Sequence, residues 1–212
     1  MNKALRNQLI DLAKKRIKSD DPSHDFEHAL RVLSNAERIA REERADLDII
    51  VPAALFHDIV SWPKNHPRAT FSSEESAKKL KKILTDMNYP KDKIKKACYA
   101  VQVCSFSKGI VPHLLEAKIL QDADFLEATG AIIVMRCFAS TGQMKRPFYH
   151  PADPFCTTRQ PAPMKYALDV FYDRSFKIES RIHTKAGKQI ARRRLKYLRA
   201  FLFELKEELE GK

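Results

Sequence analysis

The sequence predicts an all-α fold. Glycine supplies only 5 of the 212 residues, alternating strand patterns are nearly absent, and long windows repeat apolar residues three and four apart, the period of an amphipathic helix. A chain of this length, 44% hydrophobic and 31% charged, buries one core, so a single domain over residues 1–212 is expected.

Leu5, Leu9, Leu12, Ala13 and Ile17 make a first helix, and Asp20, Asp21 and Pro22 then stop it, with Asp21 as the N-cap of the next and Pro22 in its first turn. The second helix runs through Leu30, Leu33, Ala36 and Ile39 to about Arg44. A third, about Leu47 to Ile59, is apolar nearly all round, as a helix inside a bundle should be, and carries His57 and Asp58 at its end. Two prolines and an asparagine make Ser61 to Phe71 a loop. Ser72 with Glu75 reads as a capping box opening a helix to about Met87. Further helices are expected over Pro90 to Val103, Pro112 to Thr129, Ala131 to Thr141, Met164 to Ser180 and Thr184 to Leu209, the last two packing on a core at about 23–127. Gly142 to Pro163, with five prolines, is a long irregular loop of the kind that forms a lid.

The formal charge of +12 points to anionic partners or substrates, and the composition excludes disordered, collagen-like and membrane-spanning classes. Met1 to Lys18 lacks the apolar core of a signal peptide. Cys98, Cys104, Cys137 and Cys156 show no CxxC spacing and read as reduced thiols of a cytoplasmic protein.

His24, Asp25 and His28 place two imidazoles about one helical turn apart, where they either bind a metal or an anion or simply cap a helix. His57 and Asp58 end an apolar helix, where burying charge is costly without a metal or partner, although a hydrogen-bonded His beside a terminal Asp is equally consistent. Asp122 and Asp124 interrupt the apolar run of Ile119, Leu120, Ala123, Phe125 and Leu126, which is expensive without a cation.

In order and on the expected helices, His28, His57-Asp58 and Asp124 resemble the H…HD…D signature of the histidine-aspartate (HD) domain metal-dependent phosphohydrolases. The segments SHDFEHALRV, FHDIVSWPKNHP, EAKILQDADFLEATGAI and YHPADPF resemble one bacterial and archaeal branch of that family, over most of the chain from Ser23 to about Arg194. The resemblance implies a helical bundle around one metal site, with His28, His57, Asp58 and Asp124 holding one divalent ion. Two nitrogens and two oxygens with open positions suit Mn²⁺, Fe²⁺, Co²⁺, Ni²⁺ or Mg²⁺. It also implies hydrolysis of a phosphoester or phosphoanhydride bond in a small phosphorylated metabolite, nucleotides or deoxynucleotides leading, by metal-activated water. Candidate bases are Asp25, Glu74 and Glu75, and the glutamates also read as charges capping the helix after the metal loop. Candidate phosphate contacts are His24, Arg31, Lys64, Ser105, Arg159, Arg174 and Lys177. Cys104 departs from the branch, whose members usually carry a histidine before the Ser-Phe-Ser segment. No ligand set for a second metal is evident.

The alternative is a non-catalytic module that uses the metal structurally and binds nucleic acid or a protein through its basic surface. Lysines and arginines cluster at 78–82, 91–96 and 188–199, but no aromatic interleaving or docking motif supports nucleic-acid binding, and Tyr197, Phe201 and Phe203 are expected to pack into the core.

Overall fold

The computed structural model describes residues 1–18, 25–62 and 66–212. Among these, every regular element is helical, as the apolar period demands, and none of the helices is long and apolar enough to cross a membrane. All four cysteines are free thiols. The described residues form two compact units, 1–124 with 183–187, and 125–182 with 188–212.

The first unit opens with α1 (Lys3–Arg16), capped by the Asn2 side chain, which accepts from the Ala4 amide. α2 (Phe26–Glu43) follows, and Arg6 of α1 forks onto its Glu37 at 2.5 and 3.1 Å. The Asp21 cap expected from the sequence lies outside the described residues; the described cap is Asp25. α3 (Leu47–Phe56) is buried from Ile49 to its end and packs on α1 and α2. It stops three residues earlier than its apolar run predicts. Pro52 sits inside it, so the Asp48 carbonyl loses its helical donor, and the Tyr89 hydroxyl donates to that carbonyl instead at 2.8 Å. α4 (Ser72–Asp86) and α5 (Lys91–Gln102) pack on each other and on α3, and α6 (Leu115–Phe125) brings Asp124 to the end of this unit.

The capping box does not form. Ser72 Oγ donates to the Ala69 carbonyl and accepts from the Trp62 amide, while Glu75 turns to Arg68 and the Trp62 indole. Trp62 and Arg68 offer an indole and a guanidinium donor, against which a single backbone amide does not compete.

In the second unit a short 3-10 turn, Leu126–Ala128, ends at extended Thr129, so the helix expected to continue to Thr129 breaks at Phe125. α7 (Gly130–Met144) starts on a glycine at φ +68°, where a Cβ would lie 3.2 Å from Arg194 Cβ and Cγ. The single helix expected over Met164 to Ser180 is replaced by α8 (Asp169–Asp173), a 3-10 turn Ser175–Lys177, and α9 (Ile178–Arg181). The amides of Ala167 and Leu168 donate to the carbonyls of Pro147 and Phe148, which diverts the backbone that a continuous helix needs.

The same bonds close the long loop, which is stitched internally. Asp153 accepts from the amides and hydroxyls of Thr157 and Thr158, and Arg159 forks onto Asp169 at 2.5 and 2.7 Å. α10 (Lys185–Leu209) closes the chain, burying Ile190, Leu195, Leu198 and Leu202. Phe201 meets Phe171 edge to face, but Tyr197 and Phe203, expected in the core, are 51% and 63% exposed. Both lie outside the stripe that those aliphatic side chains already fill.

Candidate metal centre

Local helix chemistry sets the site. The Asp25 carboxylate, as N-cap of α2, accepts from the His28 amide at 2.8 Å, which fixes the turn from which the His28 ring projects. His57 is the C-cap of the buried α3. The two rings are 1% and 2% exposed, tilted by 55°, with their Nε2 atoms 3.2 Å apart. His57 Nδ1 donates to the Ala54 carbonyl at 2.9 Å, which fixes the tautomer and leaves the Nε2 lone pair turned to the centre.

Carboxylates complete the cluster. Asp58 Oδ2 lies 3.8 Å from His28 Nε2 and 3.6 Å from His57 Nε2, and Asp124 Oδ1 lies 3.8 Å from each. One donor atom from each of His28, His57 and Asp58 falls within 4.8 Å of the others, close enough to share an ion. The Asp58 and Asp124 side chains are 34% and 22% exposed, so the cluster has a dry imidazole floor and a carboxylate mouth reachable from solvent. Two imidazole nitrogens and carboxylate oxygens converging at these distances fit a divalent metal, and the arrangement repels itself without a cation or added protons.

α6 aims Asp124 through its neighbours. Gln121 donates to the carbonyls of Val103 and Ile110 at 2.5 and 2.9 Å and accepts from His183 Nε2 at 2.8 Å, and the Asn35 amide donates to the Ala123 carbonyl. Asp122, fully buried, has a purpose that the sequence reading missed. Its oxygens accept from the amides of His183 and Thr184 and the Thr184 hydroxyl, so three hydrogen bonds offset its burial. Burial still pushes its pKa up, against these donors.

The other expected residues divide. His24 and Lys64 lie outside the described residues. Arg31 is half-buried on α2, one turn beyond His28. Asp25 gives one oxygen to its cap. The Glu75 carboxyl lies below the usual range because Arg68 bonds it. Burial pushes the Glu74 carboxyl up, but the hydrogen bond from Lys108 and the neighbouring donors outweigh this and hold it low. Ser105 precedes the 3-10 turn Phe106–Lys108, its carbonyl accepting from the Lys108 amide. Arg159, Arg174 and Lys177 belong to the second unit. There Arg159 is engaged by Asp169, Arg174 links α8 to the next turn, and Lys177 lies 3.7 Å from Asp173.

Lys108 was not anticipated: its ammonium bonds Glu74 at 2.5 Å and Ser73 Oγ at 2.7 Å. A lone lysine in a loop has no periodicity to betray it. Ser76 likewise escapes the sequence, yet it grips both the amide and the carbonyl of Val60, pinning the chain just past Asp58 to α4. Cys104, 4% exposed, is pushed well above the thiol range by burial and then by the charges of Asp124 and Asp58, so it borders the cluster as a protonated thiol.

Residues 25–129 match the family described as HD domain. A curated protein of Bacillus subtilis, YpgQ, is 26% identical over 208 residues, covering 92% of this chain and 89% of that protein. Among solved structures, an HD-superfamily hydrolase from Bacillus thuringiensis is 26% identical with TM-score 0.77, and the Lin1889 protein of Listeria innocua 27% identical with TM-score 0.75. Each alignment covers 99% of this chain and 98% of the other. YpgQ has also been crystallised in complex with ADP, and that structure shares the fold at TM-score 0.74, 23% identity, 97% of this chain and 98% of that one.

Proposed function

We propose, from the premise that this chain belongs to the HD superfamily, that it is a metal-dependent phosphohydrolase acting on a small phosphorylated metabolite, with nucleotides or deoxynucleotides the leading class. The observation that carries this reading is the convergence of His28 and His57 Nε2 on the Asp58 and Asp124 carboxylates over a dry floor with a solvent-facing mouth. His28, His57, Asp58 and Asp124 would hold one divalent ion, for which Mn²⁺, Fe²⁺, Co²⁺, Ni²⁺ and Mg²⁺ all suit the donor set. Such an ion polarises a phosphoryl oxygen and lowers the pKa of bound water. The ADP complex of YpgQ supports the nucleotide class.

The chain's own residues supply the rest. The Ala54 carbonyl accepts from His57 Nδ1, which orients the ring with Nε2 toward the site, where it can serve as a metal ligand. Asp25, Glu74 and Glu75 are the candidate proton acceptors. Glu74 faces the Lys108 ammonium, and that pair couples an acceptor to a cation able to meet a phosphate. Arg31 is the α2 cation nearest in sequence to His28 and is assigned to phosphate binding.

The test is incubation with Mn²⁺ and a panel of nucleoside mono-, di- and triphosphates, with products resolved by anion exchange and Asp58→Ala as control. Turnover lost in a folded mutant supports the proposal, and the product, phosphate or pyrophosphate, identifies the bond. Silence across the panel, with Asp58→Ala melting early, favours the structural-metal alternative.

A further inference from the structure

From Lys188 to Phe203, α10 carries six lysines or arginines and no acid, and its glutamates begin only at Glu204. The solvent face of this stretch presents Arg192, Arg193, Lys196 and Arg199, together with exposed Tyr197 and Phe203. Little neutralises it. Arg192 meets Glu179 at 2.6 Å and Arg199 lies over the Phe176 ring, while Arg193 and Lys196 have no ion pair among the described residues. Helix stability does not ask for this pattern. Lys188, Arg192 and Lys196 stack like charges four apart, which weakens a helix, and Glu207 and Glu208 sit in the last turns, where the macrodipole prefers cations.

We propose that this face of α10 binds single-stranded nucleic acid without sequence preference. Arg193 and Lys196, with Lys188 and Arg192 beside them, track the phosphates, and Tyr197 and Phe203 stack on bases. Cations four residues apart stand about 6 Å apart along the axis, a rail for a repeating anion and not a pocket for a single one. Aromatic side chains standing in water beside that rail are what an unpaired base can use, and an acidic protein surface offers them no comparable partner. A bilayer is the poorer match. Insertion needs an apolar face turned to the lipid, and the apolar stripe of α10, Ile190, Leu195, Leu198 and Leu202, is already buried in the protein. The inference is independent of the hydrolase reading, because it requires no metal.

The test uses the full chain in EDTA with fluorescent dT and U oligonucleotides of about 20 residues, read by anisotropy from about 50 to about 300 mM salt. Affinity should fall steeply with salt. Arg193→Glu with Lys196→Glu should cost at least about tenfold and make the log–log slope shallower by about 0.7 for each phosphate that is no longer neutralised. Tyr197→Ser with Phe203→Ser, which removes two stacking platforms, should lower affinity about 30-fold or more at unchanged slope. Circular dichroism checks folding, and Arg193→Gln with Lys196→Gln replaces the charge reversal if that variant unfolds. No binding at the lowest salt, wild-type affinity in either double variant, or capture by phosphatidylserine vesicles in place of oligonucleotides overturns the proposal.

Discussion

Two aspartates of the first unit, Asp58 and Asp124, and two of the second, Asp153 and Asp169, are held in opposite ways. In the second unit Asp169, fully buried, takes the Arg159 fork and the Ala162 amide, and Asp153 takes two amides and two hydroxyls. In the first unit Asp58 and Asp124 face the Nε2 atoms of two buried imidazoles at 3.6–3.8 Å, too far for a hydrogen bond. A carboxylate ringed by N–H donors is a structural tie, whereas carboxylates gathered with two imidazole nitrogens make a set that a cation can bind. Asp122 sharpens the rule: it lies two residues from Asp124 on the same helix, yet amide donors make it a tie.

The largest expected effect follows from that difference. Asp58→Ala should lower turnover by about three orders of magnitude or more, while the melting temperature in EDTA stays within the change equivalent to about 1 kcal/mol. Steady-state rates beside calorimetry check it; a large loss of metal-free stability would place Asp58 with the structural ties. Asp169→Asn should do the reverse. It strands the Arg159 guanidinium beside a neutral amide and should cost about 3–5 kcal/mol in denaturant unfolding, with turnover per folded molecule retained.

A third effect is read along the pH axis. Burial pushes the Asp169 carboxyl up, but the Arg159 fork and the Ala162 amide outweigh it and hold it below its ordinary value; the Thr157 and Thr158 amides hold Asp153 lower still. Because both are depressed in the folded state, their stabilisation is complete above the unfolded value near 4 and is lost as pH falls through the folded values. Melting temperature should therefore drop on the acid side of about pH 4, and Asp169→Asn should drop less. Equal acid sensitivity in the two proteins would show that the tie carries no linkage.

The sequence discloses what repeats and what is adjacent. The period of three and four yields the all-α class, and His28, His57-Asp58 and Asp124 come together as the family resemblance implies. It hides what depends on a distant competitor. Glu75 reads as a cap until Arg68 and Trp62 take it, the burial of Asp122 reads as calling for a cation until His183 and Thr184 supply donors, and nothing local announces that Arg159 meets Asp169. Tyr197 and Phe203 fail differently, because apolar period alone does not say when a helix face is already full.

The smallest effect concerns a neutral orphan on the helix that delivers His57. Pro52 removes the donor due to the Asp48 carbonyl, and Tyr89 replaces it with a hydroxyl that burial raises above the phenol range. Tyr89→Phe should cost about 1–2 kcal/mol, less than Asp169→Asn, because a carbonyl stranded without a donor loses less than a stranded charge. Pro52→Ala returns a backbone N–H to reach for the same carbonyl. The double variant should then be less destabilised than the sum of the singles, with a coupling of about 0.5 kcal/mol or more by denaturant unfolding. Strict additivity would mean that the Tyr89 hydroxyl and the Pro52 gap are unrelated, and that α3 holds His57 in place by packing alone.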